Sequence, residues 1–257
     1  MSSLDSSKQF DSIHDDYTFF EEHASEAEGD LQGYLPCVSP LAQSGQVVRL
    51  LDFGCGDGRF SVRFLSGAGF LPDKLTISLV EPDAGYRQQA ATLTQAFTAT
   101  PVSAWPALPA GREDSFDLVL ANHVFYYVNE LSETLGQILH SLTAGGLFLM
   151  SMAGSDNVLM KLIEASFSSL HQPMPYHRAE DVEATLAQLG QSFKKQEVHY
   201  QLIFPDLKEN RLKILRFLLG DHFAQMEQRQ ILKLFDAYTR EGRVVIQTFH
   251  YQYVIGK

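Results

Sequence analysis

The sequence predicts an α/β protein built on a seven-stranded, mostly parallel, doubly wound sheet, with helical segments before the sheet and ahead of its last strand. Three observations predict it. From Val47 onward, buried apolar runs alternate with amphipathic stretches, the strand, helix, strand order of a parallel sheet. Leu50-Leu51-Asp52 runs into a turn with glycines at 54, 56 and 58, and a helical stretch follows. A second apolar run, Leu79-Val80, ends in Glu81, so both acids fall in one βαβ-sized window.

The elements follow in order. Residues 1–45 are polar apart from Tyr17, Phe19 and Phe20, and the acidic, alanine-containing segment from Glu21 to Leu31 reads as helix, so this region is expected to be an N-terminal helical lid. The remainder, 46–257, is expected to be one domain. Strands are expected at 47–53, 75–81, 97–103, 116–121 and 147–152, with helices at 58–67, 83–95 and 131–142, the last stopped by Gly145-Gly146. Val198, Tyr200, Leu202 and Phe204 alternate on a sixth strand, and Val245 through Ile255 on a seventh. Between them, at about 206–242, Leu212, Leu215 and Leu219, then Ile231, Phe235 and Tyr238, fall at helical spacing.

Composition narrows the classes. The chain of 257 residues has room for one full core, and its net charge of −11 opposes non-specific binding to nucleic acid or anionic membranes. No signal peptide opens it and no apolar run reaches membrane-spanning length. Two cysteines, Cys37 and Cys55, one of them inside the glycine turn, suggest free thiols and a cytoplasmic setting. No histidine or cysteine spacing has the form of a zinc motif, and no nucleophile motif is present, so no metal is expected.

The glycine turn permits close backbone approach to a ligand at a strand tip and a helix N-terminus. A dinucleotide fingerprint would carry its third glycine at position 59, where this chain has arginine, and Asp52 would repel a pyrophosphate. Asp52 and Glu81 suit a positively charged nucleoside instead. With Ala107-Leu108-Pro109, Asp114 through Asn122, and Leu142 through Met150, the ordered set of motifs resembles the class I S-adenosylmethionine-dependent methyltransferases over roughly residues 46–155. The helical insertion is loosely similar to that of small-amine methyltransferases of the histamine N-methyltransferase type.

The resemblance implies a Rossmann-like sheet with an antiparallel last strand, S-adenosylmethionine as cofactor, and methyl transfer to N or O of a small-molecule acceptor. A non-catalytic cofactor-binding module and a protein methyltransferase are the alternatives. It also implies that Asp52, Phe53, Gly54, Cys55 and Gly56 hold the methionine part, that Glu81 binds the ribose, and that Pro82 packs near adenine. Ser103, Ala104 and Trp105 occupy the adenine-contacting position, with serine where the family usually has aspartate. Asn122 and His123 follow the fourth strand at the reaction wall, His123 as a candidate proton acceptor. Tyr126 and Tyr127 are expected at the acceptor pocket, Tyr127 also as a catalytic candidate, with Tyr17, His23 and His177 as further acceptor-side residues. Asp57 and Arg59 are left open between cleft and solvent. Oligomeric state is not readable.

Overall fold

A computed structural model describes residues 14–257; the first part of the expected lid, residues 1–13, lies outside the described residues. Two helices, α1 (His14–His23) and α2 (Glu26–Gln43), precede the sheet. Then come β1 (Val48–Phe53), α3 (Arg59–Ala68), β2 (Leu75–Val80), α4 (Ala84–Thr94), β3 (Ser103–Trp105), β4 (Phe116–Asn122), α5 (Leu131–Ser141) and β5 (Leu142–Met152). The second half contains α6 (Val158–Ser169), α7 (Ala179–Gln188), β6 (Lys194–Pro205), α8 (Lys208–Leu219), α9 (Gln228–Lys233), the two-residue β7 (Thr239–Arg240) and β8 (Arg243–Gly256).

The strands lie in the order β3-β2-β1-β4-β5-β8-β6, with β7 paired to β8. Pairing is parallel from β3 through β5, and β8 is antiparallel to both its neighbours. This is a mixed α/β fold with helical insertions, as the sequence predicts. No helix among the described residues is long and apolar enough to cross a membrane.

Three features of the sheet differ from expectation. The strand expected at 97–103 is confined to 103–105, because the Gln95 side chain bonds the Thr98 and Thr100 carbonyls and the Val102 N–H and holds that stretch as a loop. Gly145-Gly146 does not stop α5; the helix ends at Ser141, and β5 runs through the glycines because Gly145 and Gly146 pair with Lys257 at the end of β8. β7 adds an eighth strand to the seven expected.

Alternation along each strand divides the core between the faces of the sheet. Leu51, Phe53, Val119, Ala121, Phe148 and Met150 pack with α5 and α7 on one face; Leu50, Ile77, Leu79, Leu118 and Leu120 pack with Tyr34 of α2 and Phe64 of α3 on the other. A third cluster joins β6 and β8 to α1, α6 and α8. Arg216 of α8 forms a two-pronged ion pair with Asp16 of α1 at 2.8 and 2.9 Å, and Phe20 stacks on Phe217 with ring centres 4.5 Å apart. The N-terminal helix and the late insertion therefore form one joined cover.

Candidate active site

The tips of β1 and β2 build an acidic cleft. Gly54 and Cys55 both donate backbone N–H groups to the Val80 carbonyl, at 2.7 and 3.2 Å, folding the turn back onto β2. Gly54 has φ 75°, and a Cβ there would collide with Val124. At Gly56, φ 55°, an added Cβ would meet nothing within 4 Å, so the space above it belongs to the cleft. Gly56 N–H donates to Glu81 Oε2 at 3.1 Å and Asp83 N–H to Glu81 Oε1 at 2.9 Å. That carboxylate is fixed in place, although burial pushes its carboxyl upward.

Asp52 is buried and accepts a hydrogen bond from Ser61 at 2.5 Å. Burial pushes its carboxyl up to about 7; the Ser61 bond opposes the shift and the nearby Glu81 charge adds to it. A cation entering the cleft would favour the ionised form.

Beyond β4 lies a polar wall centred on Asp30 of α2. Its carboxylate accepts from His250 Nε2 at 2.7 Å, Ser151 Oγ at 2.8 Å, Gln252 Nε2 at 2.9 Å, and Asn122 Nδ2 and His123 Nε2 at 3.1 Å. Burial by itself would raise the Asp30 carboxyl, but His123 and His250 hold it well below the usual carboxylate range. Tyr34 continues the network, donating to Asn122 Oδ1 at 3.0 Å. His123 adopts φ 56°, a left-handed conformation costing ~1 kcal/mol in a non-glycine residue. Its Nε2 is 3.6 Å from Glu26. Burial pulls the imidazole down, yet Glu26 and Asp30 hold its pKa at about 9.

The cleft and this wall open into a single cavity of about 620 Å³ that extends into an aromatic chamber. Tyr126, Tyr127, Tyr176 and Tyr200 form its sides, and Phe20 and Phe217 its cover. Tyr127 and Tyr176 meet edge to face at 5.4 Å, and burial raises the Tyr127 phenol, which stays protonated. Tyr126 is fixed by accepting the Ala153 N–H at 2.6 Å. Glu26 supplies a carboxylate between chamber and cleft.

Of the residues singled out in the sequence, Asp52, Gly54, Cys55, Gly56, Asp57, Glu81, Pro82, Asn122, His123, Tyr126, Tyr127 and Tyr17 all line this cavity. The others are placed elsewhere. The Phe53 side chain points into the opposite core and stacks on Phe125. Ser103, Ala104 and Trp105 lie on β3 outside the cavity lining, and Trp105 is covered by the Arg112 guanidinium at 4.7 Å. His23 bonds the Phe19 carbonyl and stacks on its ring; His177 bonds the Val128 carbonyl and braces the turn carrying Tyr126. Neither histidine reaches the chamber.

Arg59 has a structural part. It pairs with Asp57 at 2.6 Å and with Glu21 of α1 at 3.1 Å, fastening the first helix to the glycine turn. Sequence reasoning missed Asp30, His250, Tyr176, Tyr200 and Phe217, and read Glu26 only as part of the acidic helical segment of the lid. One signal was available: His250 and Gln252 fall on the inward face of β8, where polar residues require partners.

A family model for a methyltransferase domain matches residues 19–198, well over half of the chain. Among solved structures, the chain is similar to the YcgJ protein of Bacillus subtilis, at 15% identity and TM-score 0.55, covering 87% of this chain and 98% of that one. A candidate methyltransferase from Bacillus halodurans C-125 matches at 12% identity and TM-score 0.56, with the same coverage of 87% and 98%. A candidate sarcosine dimethylglycine methyltransferase from Galdieria sulphuraria matches at 11% identity and TM-score 0.54, over 88% of this chain and 83% of that one. At these identities the structural likeness carries the fold alone. No curated protein matches the chain at a significant level.

Proposed function

The chain belongs to the methyltransferase-domain family, and from that premise we propose that it moves the methyl group of S-adenosylmethionine to a nitrogen or oxygen of a small molecule held in the aromatic chamber. The donor supplies a methyl group already activated by its sulfonium. What remains for the chain is to align the acceptor and exclude water.

The strand tips suit this donor. Asp52 offers negative charge to its ammonium and sulfonium end, Gly56 leaves the floor of the cleft open, Glu81 presents a fixed carboxylate to the ribose hydroxyls, and Pro82 flanks the base. The observation that carries the proposal is the continuity of this cleft with the chamber in one cavity. Its volume lies in the range of small-ligand sites. A protein side chain would have to pass the cover formed by Phe20 and Phe217, which favours a small acceptor.

In this reading Tyr127 contacts the acceptor with its ring and hydroxyl, and His123 positions the pocket wall beside it through its Nδ1 contact with the Tyr126 hydroxyl at 3.2 Å. The released proton passes to solvent. The ring faces of Tyr126, Tyr127 and Tyr176 beside Glu26 suit an amine, the acceptor class of enzymes of the histamine N-methyltransferase type. Tyr17 closes the cavity from α1, bonded to Glu21. The free thiols of Cys37 and Cys55 suit a reducing, cytoplasmic setting, and the charge of −11 argues against a nucleic-acid or anionic-membrane partner.

The test is a screen with methyl-labelled donor against small amines and hydroxy compounds, preceded by calorimetry with S-adenosylhomocysteine. Label in a small amine or alcohol is the expected result. Donor binding accompanied by label only in added protein would overturn the acceptor class.

A further inference from the structure

His250 presents a buried ring nitrogen without a hydrogen-bond partner. It stands fully buried on the inward face of β8 between Thr248 and Gln252, and its Nε2 lies 2.7 Å from Asp30 Oδ1. A carboxylate only accepts, so Nε2 carries the hydrogen, and Nδ1 is the nitrogen left over for a ligand. Nδ1 is buried with no hydrogen-bond partner and faces Glu26 Oε1 at 3.8 Å. That separation is too long for a hydrogen bond.

A third donor completes the constellation. His123 Nε2 is 3.6 Å from Glu26 Oε2, and one ligand atom from each of Glu26, His123 and His250 lies within 4.8 Å of the others. Bonds of ~2.0–2.2 Å to nitrogen and oxygen place tetrahedral ligands about 3.4 Å apart, so modest side-chain adjustment closes the set around an ion. The Asp30–His250 bond is the outer carboxylate that commonly fixes the tautomer of a ligating histidine. We propose that Glu26, His123 and His250 form a binding site for one divalent first-row transition-metal ion, with Asp30 orienting His250 from behind, and with His123 exchanging its Nε2 hydrogen bond to Asp30 for the ion while its Nδ1 stays on the Tyr126 hydroxyl. Two imidazoles and a single carboxylate select Zn²⁺ or a neighbouring ion over Mg²⁺ or Ca²⁺, which require oxygen ligands. The ligands come from α2, the turn after β4, and β8, so no sequence spacing announces them.

The site stands whatever the acceptor is, and its test does not use methyl transfer. Tag-free, chelator-treated protein is titrated with Zn²⁺ against a chromophoric chelator, and separately with Co²⁺ while visible absorption is recorded. One equivalent should bind, a hundredfold excess of Mg²⁺ should not displace it, and Co²⁺ should give ligand-field bands of an imidazole-bound ion. Glu26→Gln and His250→Gln should each weaken binding by about 100-fold or more, since losing even an outer partner costs ~10–100-fold. Binding of S-adenosylhomocysteine and near-ultraviolet circular dichroism report whether each variant is folded. If His250→Gln does not fold, Glu26→Gln, at the partly exposed ligand, decides. No stoichiometric binding to the wild type, or binding that the folded variants leave unchanged, overturns the proposal.

Discussion

Gly56 N–H donates to Glu81 Oε2 at 3.1 Å, joining the turn after β1 to the acid after β2 before any ligand enters. With the Asp83 N–H on the other oxygen, the carboxylate needs little reorganisation to receive two hydroxyl groups.

Glu81→Ala removes this preset acceptor. Charged hydrogen bonds contribute ~1.5–3 kcal/mol each, so loss of the pair should weaken S-adenosylhomocysteine binding by about 100-fold or more. Calorimetry measures the loss, and thermal unfolding checks that the variant is folded.

Asp52 gives donor binding a pH dependence of definite sign. Its carboxyl sits at about 7 in the folded protein, above the ~3.9 of an unfolded chain. The stability it contributes to the empty protein is complete below about pH 4 and is lost as pH rises through about 7. The ligand's ammonium group needs the ionised form beside it. Affinity for S-adenosylhomocysteine should therefore climb, by at most ~10-fold per pH unit, up to about pH 7 and then level off. Calorimetry from pH 5.5 to 8 reads this, and a flat or falling profile contradicts it.

Phe217 belongs to the cover, not to the donor cleft. Phe217→Ala removes the stack on Phe20 and opens the chamber, so the acceptor KM should rise about tenfold while the affinity for S-adenosylhomocysteine stays within about twofold. The lost ring pair should lower stability by ~1–3 kcal/mol, read from chemical unfolding.

Gly54→Ala tests the turn. The left-handed backbone and the collision with Val124 together should cost ~2–4 kcal/mol. Adding Val124→Ala makes room for the new methyl group, so the double variant should recover at least ~1 kcal/mol relative to additivity in a urea-unfolding cycle.

What could be read from the sequence was local. Asp52, Gly54, Gly56 and Glu81 lie at the ends of apolar runs within thirty residues, where strand tips and a glycine turn have few alternative geometries. Asn122 and His123 follow from the end of β4 in the same way. The Asp30 network draws on α2, β4, β5 and β8, and no periodicity links residues 30, 123, 151 and 250. The covering role of α1 likewise depends on Arg216 and Phe217, two hundred residues later, and on the Arg59–Glu21 pair. Phe53 shows the limit of a motif: it is the last residue of β1, and strand alternation sends its side chain to the other face of the sheet.

The most direct test of the account is a crystal structure with S-adenosylhomocysteine bound. The ribose hydroxyls should lie on Glu81, the amino group on the Asp52 side, and the sulfur should open to the chamber between His123 and Tyr127. A ligand whose sulfur faces away from that chamber, or a cleft that stays empty at saturating concentration, would contradict it.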